Sequence, residues 1–126
     1  MAQQAWLDGQ YTPDAALVNI YATGAHLDMH QDHNELSRAP VASLSIGDAC
    51  TFPFGNTATR TKPYTDLLLL SGDLFVFGGQ SRLAYHGVPR IHPDTTPAGC
   101  DLAAGRVSIT LRMTGTAAPP NKPAPR

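Results

Sequence analysis

This sequence predicts an all-β chain, and three observations point there. Short runs of strand-forming residues recur along it, turn-formers separate them, and no middle segment of ten or more residues keeps a helical period. The runs are Leu17 to Tyr21, Val41 to Ile46, Cys50 to Phe54, Leu67 to Leu70, Leu74 to Phe77 and Arg106 to Met113. Strands this short cannot bury an apolar face alone, so they are expected to pair into two sheets packed face to face. With a pocket between the sheets, that layout is a double-stranded β-helix, or jelly roll.

The elements follow in order. Residues 1–13 form a leader with room for one short helix, Ala2 to Leu7; its aromatics Trp6 and Tyr11 read as packing residues. The core spans 14–115. Its first strand places Asn19 and Tyr21 on the side opposite Val18 and Ile20. Ser43 lies within the second strand, and Cys50, opening the third, reads as a small core residue. Gly55-Asn56, Ser71-Gly72-Asp73 and Gly78-Gly79 supply turns, with Asp73 in an architectural role. The stretch from His92 to Gly105 is a loop of prolines and glycines in which His92 faces solvent. The final strand alternates throughout: Arg106, Ser108, Thr110 and Arg112 share one side, and Val107, Ile109, Leu111 and Met113 the other. Residues 116–126, rich in proline, are expected to be disordered.

Composition bounds the function. A chain of 126 residues with 42% hydrophobic and 15% charged residues suits one globular domain. A formal net charge of −1 argues against strong nonspecific attraction to nucleic acid, so any such binding must use a local patch around Arg38, Arg60, Lys62, Arg82 and Arg90. No run of eighteen apolar residues appears, so membrane spanning is not expected. No secretion signal is visible either, which makes a cytoplasmic, monomeric protein the expectation. The two cysteines, Cys50 and Cys100, are too few for a disulfide-built fold and do not show zinc-ligand spacing.

The chemistry is signalled by His30-Gln31-Asp32 and, far along the chain, His86. Two imidazoles and one carboxylate occupy one face of an octahedral ion. Three positions stay open, as a non-haem iron(II) oxygenase needs for a bidentate co-substrate and dioxygen. On extended chain, residues i and i+2 project to one side, so His30 and Asp32 can converge; His86 must arrive from another strand. By itself the pattern is weak, since a scattered histidine is more often packed or solvated than a ligand. The strand with two arginines strengthens it. At i and i+6, Arg106 and Arg112 stand roughly 20 Å apart in an ideal extended strand and so can serve opposite ends of an elongated pocket. Asn19 and Tyr21 beside an arginine would make a carboxylate cradle, because a guanidinium fork matches two carboxylate oxygens and neutral donors complete them.

Taken together, these residues resemble the catalytic core of the AlkB family of Fe(II)- and 2-oxoglutarate-dependent dioxygenases, from about Asp14 to Gly115. The matching motifs are Asn19-Ile20-Tyr21, His30-Gln31-Asp32, Arg38-Ala39-Pro40, Ser81-Arg82-Leu83-Ala84-Tyr85-His86-Gly87 and the spacing of Arg106 to Arg112. The resemblance implies that His30, Asp32 and His86 hold iron. It also implies that Arg106, helped by Asn19 and Tyr21, pairs with the distal carboxylate of 2-oxoglutarate, that Arg112 contacts the carboxylate nearest the metal, and that Ser43 lines the co-substrate pocket. Fe(II), 2-oxoglutarate and dioxygen are the implied cofactors. The implied function is oxidative demethylation of alkylated nucleobases, of the 1-methyladenine and 3-methylcytosine type, in DNA or RNA repair. The expected partner is alkylated nucleic acid, single-stranded or with its base flipped out.

Departures from the pattern open alternatives. Ser108 stands where the family commonly has a second asparagine and can still hydrogen-bond with shorter reach. Asn34 replaces an aspartate that faces the target base, which removes the charge suited to a cationic methylated base. Arg60 lies where the family has a basic residue near substrate. Fewer than twenty residues precede the first strand, too few for the segment that folds over the family's active site. The chain is therefore a trimmed core, or a short member that finds its substrate through loops or a partner. The alternative functions are an oxygenase acting on a protein or small molecule, or a metal-binding jelly-roll module without turnover. His26 and His33 read as bystanders, His33 close enough for a supporting shell.

Overall fold

A computed structural model describes residues 11–32 and 38–114. The leader helix at Ala2 to Leu7, the tail 116–126, His33 and Asn34 lie outside the described residues. The strands are β1 (Ala15–Tyr21), β2 (Leu27–His30), β3 (Val41–Gly47), β4 (Cys50–Phe54), β5 (Thr65–Leu69), β6 (Leu74–Phe77), β7 (His86–Val88), β8 (Arg90–Ile91) and β9 (Arg106–Arg112), with a 3₁₀ turn at Gly79–Ser81. One sheet runs in the order β1-β9-β3-β6, the other β2-β7-β4-β5 with β8 also on β4. The expected jelly-roll layout is borne out. Among the described residues no helix is long and apolar enough to cross a membrane.

All six expected strands form. β5 begins two residues before Leu67, and Met113 falls just beyond β9. Three short strands, β2, β7 and β8, were not read as strands from sequence. At four, three and two residues they are too short for a period to emerge. β9 is the seam of its sheet: it pairs antiparallel with β1 from Ala15↔Arg112 to Tyr21↔Arg106, and with β3 from Ala42↔Leu111 to Gly47↔Arg106.

The polar side of β9 is the buried side. Its polar residues Arg106, Ser108 and Thr110 are buried, while Val107, Ile109 and Leu111 are half-buried. Across the seam, Val18 and Ile20 on the outer face of β1 are 54% and 79% exposed. The inner face of this sheet is thus the polar one, and it looks onto the second sheet.

The second sheet supplies most of the core, with Tyr21 and Phe75 added from the first. Tyr21, Cys50, Phe52, Leu69, Val88 and Ile91 form one buried cluster, with Phe54, Leu67 and Phe75 packed against it. Each such side chain removed from water contributes about 1.5–3 kcal/mol. Phe54 meets Phe75 at 5.1 Å and Phe77 at 5.4 Å between ring centroids, both edge-on.

Polar pegs fix the loops. Buried Asp48 accepts from Thr95 N (3.0 Å), Thr96 Oγ1 (2.7 Å) and Gly105 N (3.0 Å), tying the long loop to the start of β9. The Thr96 hydroxyl, with help from the backbone donors, holds the Asp48 carboxyl below its ordinary range against the opposing effect of burial. Asp73 accepts from Leu70 N at 2.8 Å, the architectural role expected of it. His92, expected to face solvent, is instead half-buried with Nε2 2.8 Å from Thr51 Oγ1. The outer face of β4 offers it a hydroxyl, and a hydrogen bond there outweighs full hydration.

Candidate active site

Strand pairing brings the predicted triad together. His30, closing β2, sits directly opposite His86, opening β7, with ring centroids 4.5 Å apart. Asp32 follows two residues after His30 and turns to the same side, as extended chain requires. Its Oδ1 lies 3.7 Å from His30 Nε2 and its Oδ2 3.6 Å from His86 Nε2. One ligand atom from each of the three lies within 4.8 Å of the others.

Gly87 makes this approach possible. A Cβ there would stand 2.8 Å from the Leu27 carbonyl oxygen and 3.1 Å from Asp28 and Met29 backbone atoms, so only glycine lets β2 come this close to β7.

Both imidazoles are oriented from behind. Nδ1 of His30 is 2.9 Å from the Asp28 carbonyl, and Nδ1 of His86 is 3.0 Å from that of Ala84. A carbonyl can only accept, so each Nδ1 carries the proton and each Nε2 presents its lone pair to the triad. Burial lowers the pKa of His86, outweighing the Ala84 bond and the Asp32 charge that raise it. The neutral form that results is the one a metal binds.

From the triad a narrow cavity runs inward between the sheets. Asn19, Tyr21, Ser43, Arg106, Ser108 and Arg112 all line it. At its mouth, Arg112 Nη2 is 3.2 Å from Asp32 Oδ2. At its inner end, Arg106 is only 2% exposed; Nη2 donates to Ser45 Oγ and Nε to Cys50 Sγ, both at 3.1 Å. Its guanidinium carbon stands 5.6 Å from the Tyr21 ring centroid. Its Nη1 is buried and has no hydrogen-bond partner among the described residues. Burial raises the pKa of Tyr21, despite nearby Arg106 and a hydrogen bond with Ser108, and keeps the phenol a proton donor. Burial likewise pushes the Cys50 thiol up, so the arginine faces a neutral sulfur.

A family profile described as the 2OG-Fe(II) oxygenase superfamily matches residues 1–112. The chain belongs to that superfamily. Among its relatives, the alpha-ketoglutarate-dependent dioxygenase AlkB of Escherichia coli is 42% identical over 106 residues, covering 83% of this chain and 47% of that protein. The DNA N(6)-methyladenine demethylase ALKBH1C of Arabidopsis thaliana is 39% identical over 110 residues, covering 80% of this chain and 24% of that one. A solved structure titled "The structure of OsALKBH1" superposes with a TM-score of 0.75 at 39% identity, covering 81% of this chain and 50% of that chain. The AlkB resemblance read from the motifs is borne out. The chain spans about half the length of the E. coli relative, as it does of the solved chain.

The donor set of this chain fits the superfamily's cofactors. Two imidazoles and a carboxylate suit iron(II) with open positions, and a buried guanidinium with an unspent N–H suits one end of a diacid such as 2-oxoglutarate.

Other residues stand apart or were missed. Arg60 is exposed on the loop between β4 and β5 and does not line the cavity. His26 is exposed. Sequence reasoning missed Ser45 and Cys50 as partners of Arg106, and Thr110, Phe52 and Phe77 as cavity lining. Period two would have found Ser45 from Ser43 and Thr110 from Ser108; nothing local marks Cys50.

Proposed function

We propose that this oxygenase core performs oxidative demethylation of alkylated nucleobases in DNA or RNA, with 1-methyladenine and 3-methylcytosine as the first bases to try. The observation that carries the proposal is a single cavity with a metal-ligand triad at its mouth and a buried cation with an unspent donor at its inner end. A relative 39% identical is named a DNA demethylase, which supports a nucleobase substrate.

In this reading His30, Asp32 and His86 hold iron(II), Arg106 and the Tyr21 phenol grip the distal carboxylate, and Arg112 borders the carboxylate nearest the metal. Bound there, iron and 2-oxoglutarate would supply the oxidation: dioxygen gives one oxygen atom to the diacid, which is split to succinate and carbon dioxide, and the other to an N-methyl group, whose hydroxymethyl product leaves as formaldehyde. The chain's own contribution is placement. Phe52 and Phe77 line the cavity with aromatic rings beside His86, Ser43 and Ser108 offer hydroxyls along it, and the mouth beside His30 receives an unstacked base.

The test supplies Fe(II), 2-oxoglutarate and methylated oligonucleotides and follows succinate and formaldehyde. Both products should rise together. Succinate without formaldehyde would reject these bases. A second reading, oxygenation of a protein or small molecule, is favoured by the net charge of −1 and by the distance of Arg60 from the cavity lining; turnover of such a compound with nucleic acids inert would establish it.

A further inference from the structure

Three successive residues that ligate nothing hold the triad from one side. Arg82, Leu83 and Ala84 connect the 3₁₀ turn to β7, and each grips a different part of the ligand set. The Ala84 carbonyl accepts from His86 Nδ1 at 3.0 Å. The Leu83 carbonyl accepts at 2.8 Å from the side-chain amide of Gln31, the residue between His30 and Asp32. The Arg82 side chain, 2% exposed, donates from Nη1 to the Asp32 carbonyl at 2.7 Å and from Nε to the Ala39 carbonyl at 2.8 Å.

We propose that Arg82 is a positioning residue for the metal centre: by pegging the backbone of Asp32, it sets where that carboxylate points between the two imidazoles. The proposal rests on the triad's being a metal site. Asp32 lies beyond the end of β2, and among the described residues no strand ladder holds its backbone. Its carboxylate is meanwhile drawn three ways, toward His30, His86 and the Arg112 guanidinium 3.2 Å from Oδ2. A side chain pulled from several directions keeps one orientation only if its own main chain is fixed. The Arg82 fork does this, spanning carbonyls at both ends of the segment between Asp32 and Ala39. A planar guanidinium can serve two acceptors at once, whereas a lysine ammonium on a flexible stem serves as a point donor.

Calorimetry with Mn(II), with and without 2-oxoglutarate, tests this. Arg82→Lys and Arg82→Gln should weaken Mn(II) binding by about 10- to 100-fold, glutamine more than lysine, while the affinity for 2-oxoglutarate at saturating Mn(II) moves less than about threefold. As a stability control, Leu69→Ala, in the core and off the cavity lining, should lower Tm yet leave Mn(II) affinity within about twofold. Wild-type Mn(II) affinity in both Arg82 variants would overturn the proposal. So would a loss of both affinities that merely tracks Tm.

If the variants do not fold, the wild type still decides. With arginine labelled by 15N, the Arg82 Nε–H should exchange slowly and shift when Zn(II) is added, unlike that of exposed Arg90; an unmoved Arg82 signal would refute the assignment. A wild type that takes up neither ion would instead bring down the metal-centre reading, and this inference with it.

Discussion

Arg106 and Arg112 stand on one face of one strand, and their surroundings differ in kind. Arg106 is walled in by a hydroxyl, a thiol and an aromatic ring, with a donor left over. Arg112, its side chain 19% exposed, reaches the carboxylate of Asp32. A buried cation held by neutral groups costs the fold, because neutral partners recover only part of its lost hydration. A half-screened cation beside an acid costs little. The inner arginine is therefore kept for an anion that comes from outside, and the outer one also serves the protein's own acid.

That contrast can be broken in four places, taken from the largest expected effect to the smallest. His86→Ala should abolish metal-dependent diacid binding at both ends, measured by Mn(II) and 2-oxoglutarate calorimetry; retained binding would show that the cavity does not depend on the triad. Arg106→Met should weaken the diacid by about 2–5 kcal/mol while sparing the metal, and should raise folding stability in denaturant melts by about 1–2 kcal/mol. Equal diacid affinity in the two proteins would refute the pairing. Arg112→Lys should cost roughly tenfold in diacid affinity, about 1.4 kcal/mol, and should shift metal affinity as well, since Asp32 changes partner.

The smallest effect concerns Asp48, which ties Gly105 to the head of β9 just before Arg106. Its carboxyl is depressed in the folded chain, so the ionised form favours folding above its ordinary pKa, and that contribution is lost as pH falls through the lower folded value. Asp48→Asn should flatten the acid side of the stability curve and cost about 1 kcal/mol near neutrality. An unchanged acid limb in urea melts at pH 3 to 7 would contradict it.

Legibility in the sequence followed the length of each signal. β9 announced itself through the eight alternating residues from Arg106 to Met113, and both of its arginines line one cavity. Alternation alone is symmetric and does not say which face turns inward; the two arginines on one side, with the AlkB resemblance, pointed to the polar face. The structure turns that face toward the second sheet, with His86 across the gap. The triad was legible because His30 and Asp32 obey the two-residue period; the strands carrying His30 and His86 were too short to read. The contact of Cys50 with Arg106 joins positions 56 apart in sequence, and no local pattern encodes a meeting between the ends of two separate strands.

The absent side chain at Gly87 has a practical consequence. Alanine there would wedge β2 away from β7 and separate the two imidazoles while leaving every liganding atom in the chain. Bringing the imidazoles back together in such a protein would call for a compensating change in the Leu27–Met29 backbone, not for any new chemistry, so a reversion screen for metal binding starting from that single methyl would map which parts of the neighbouring strand are able to yield.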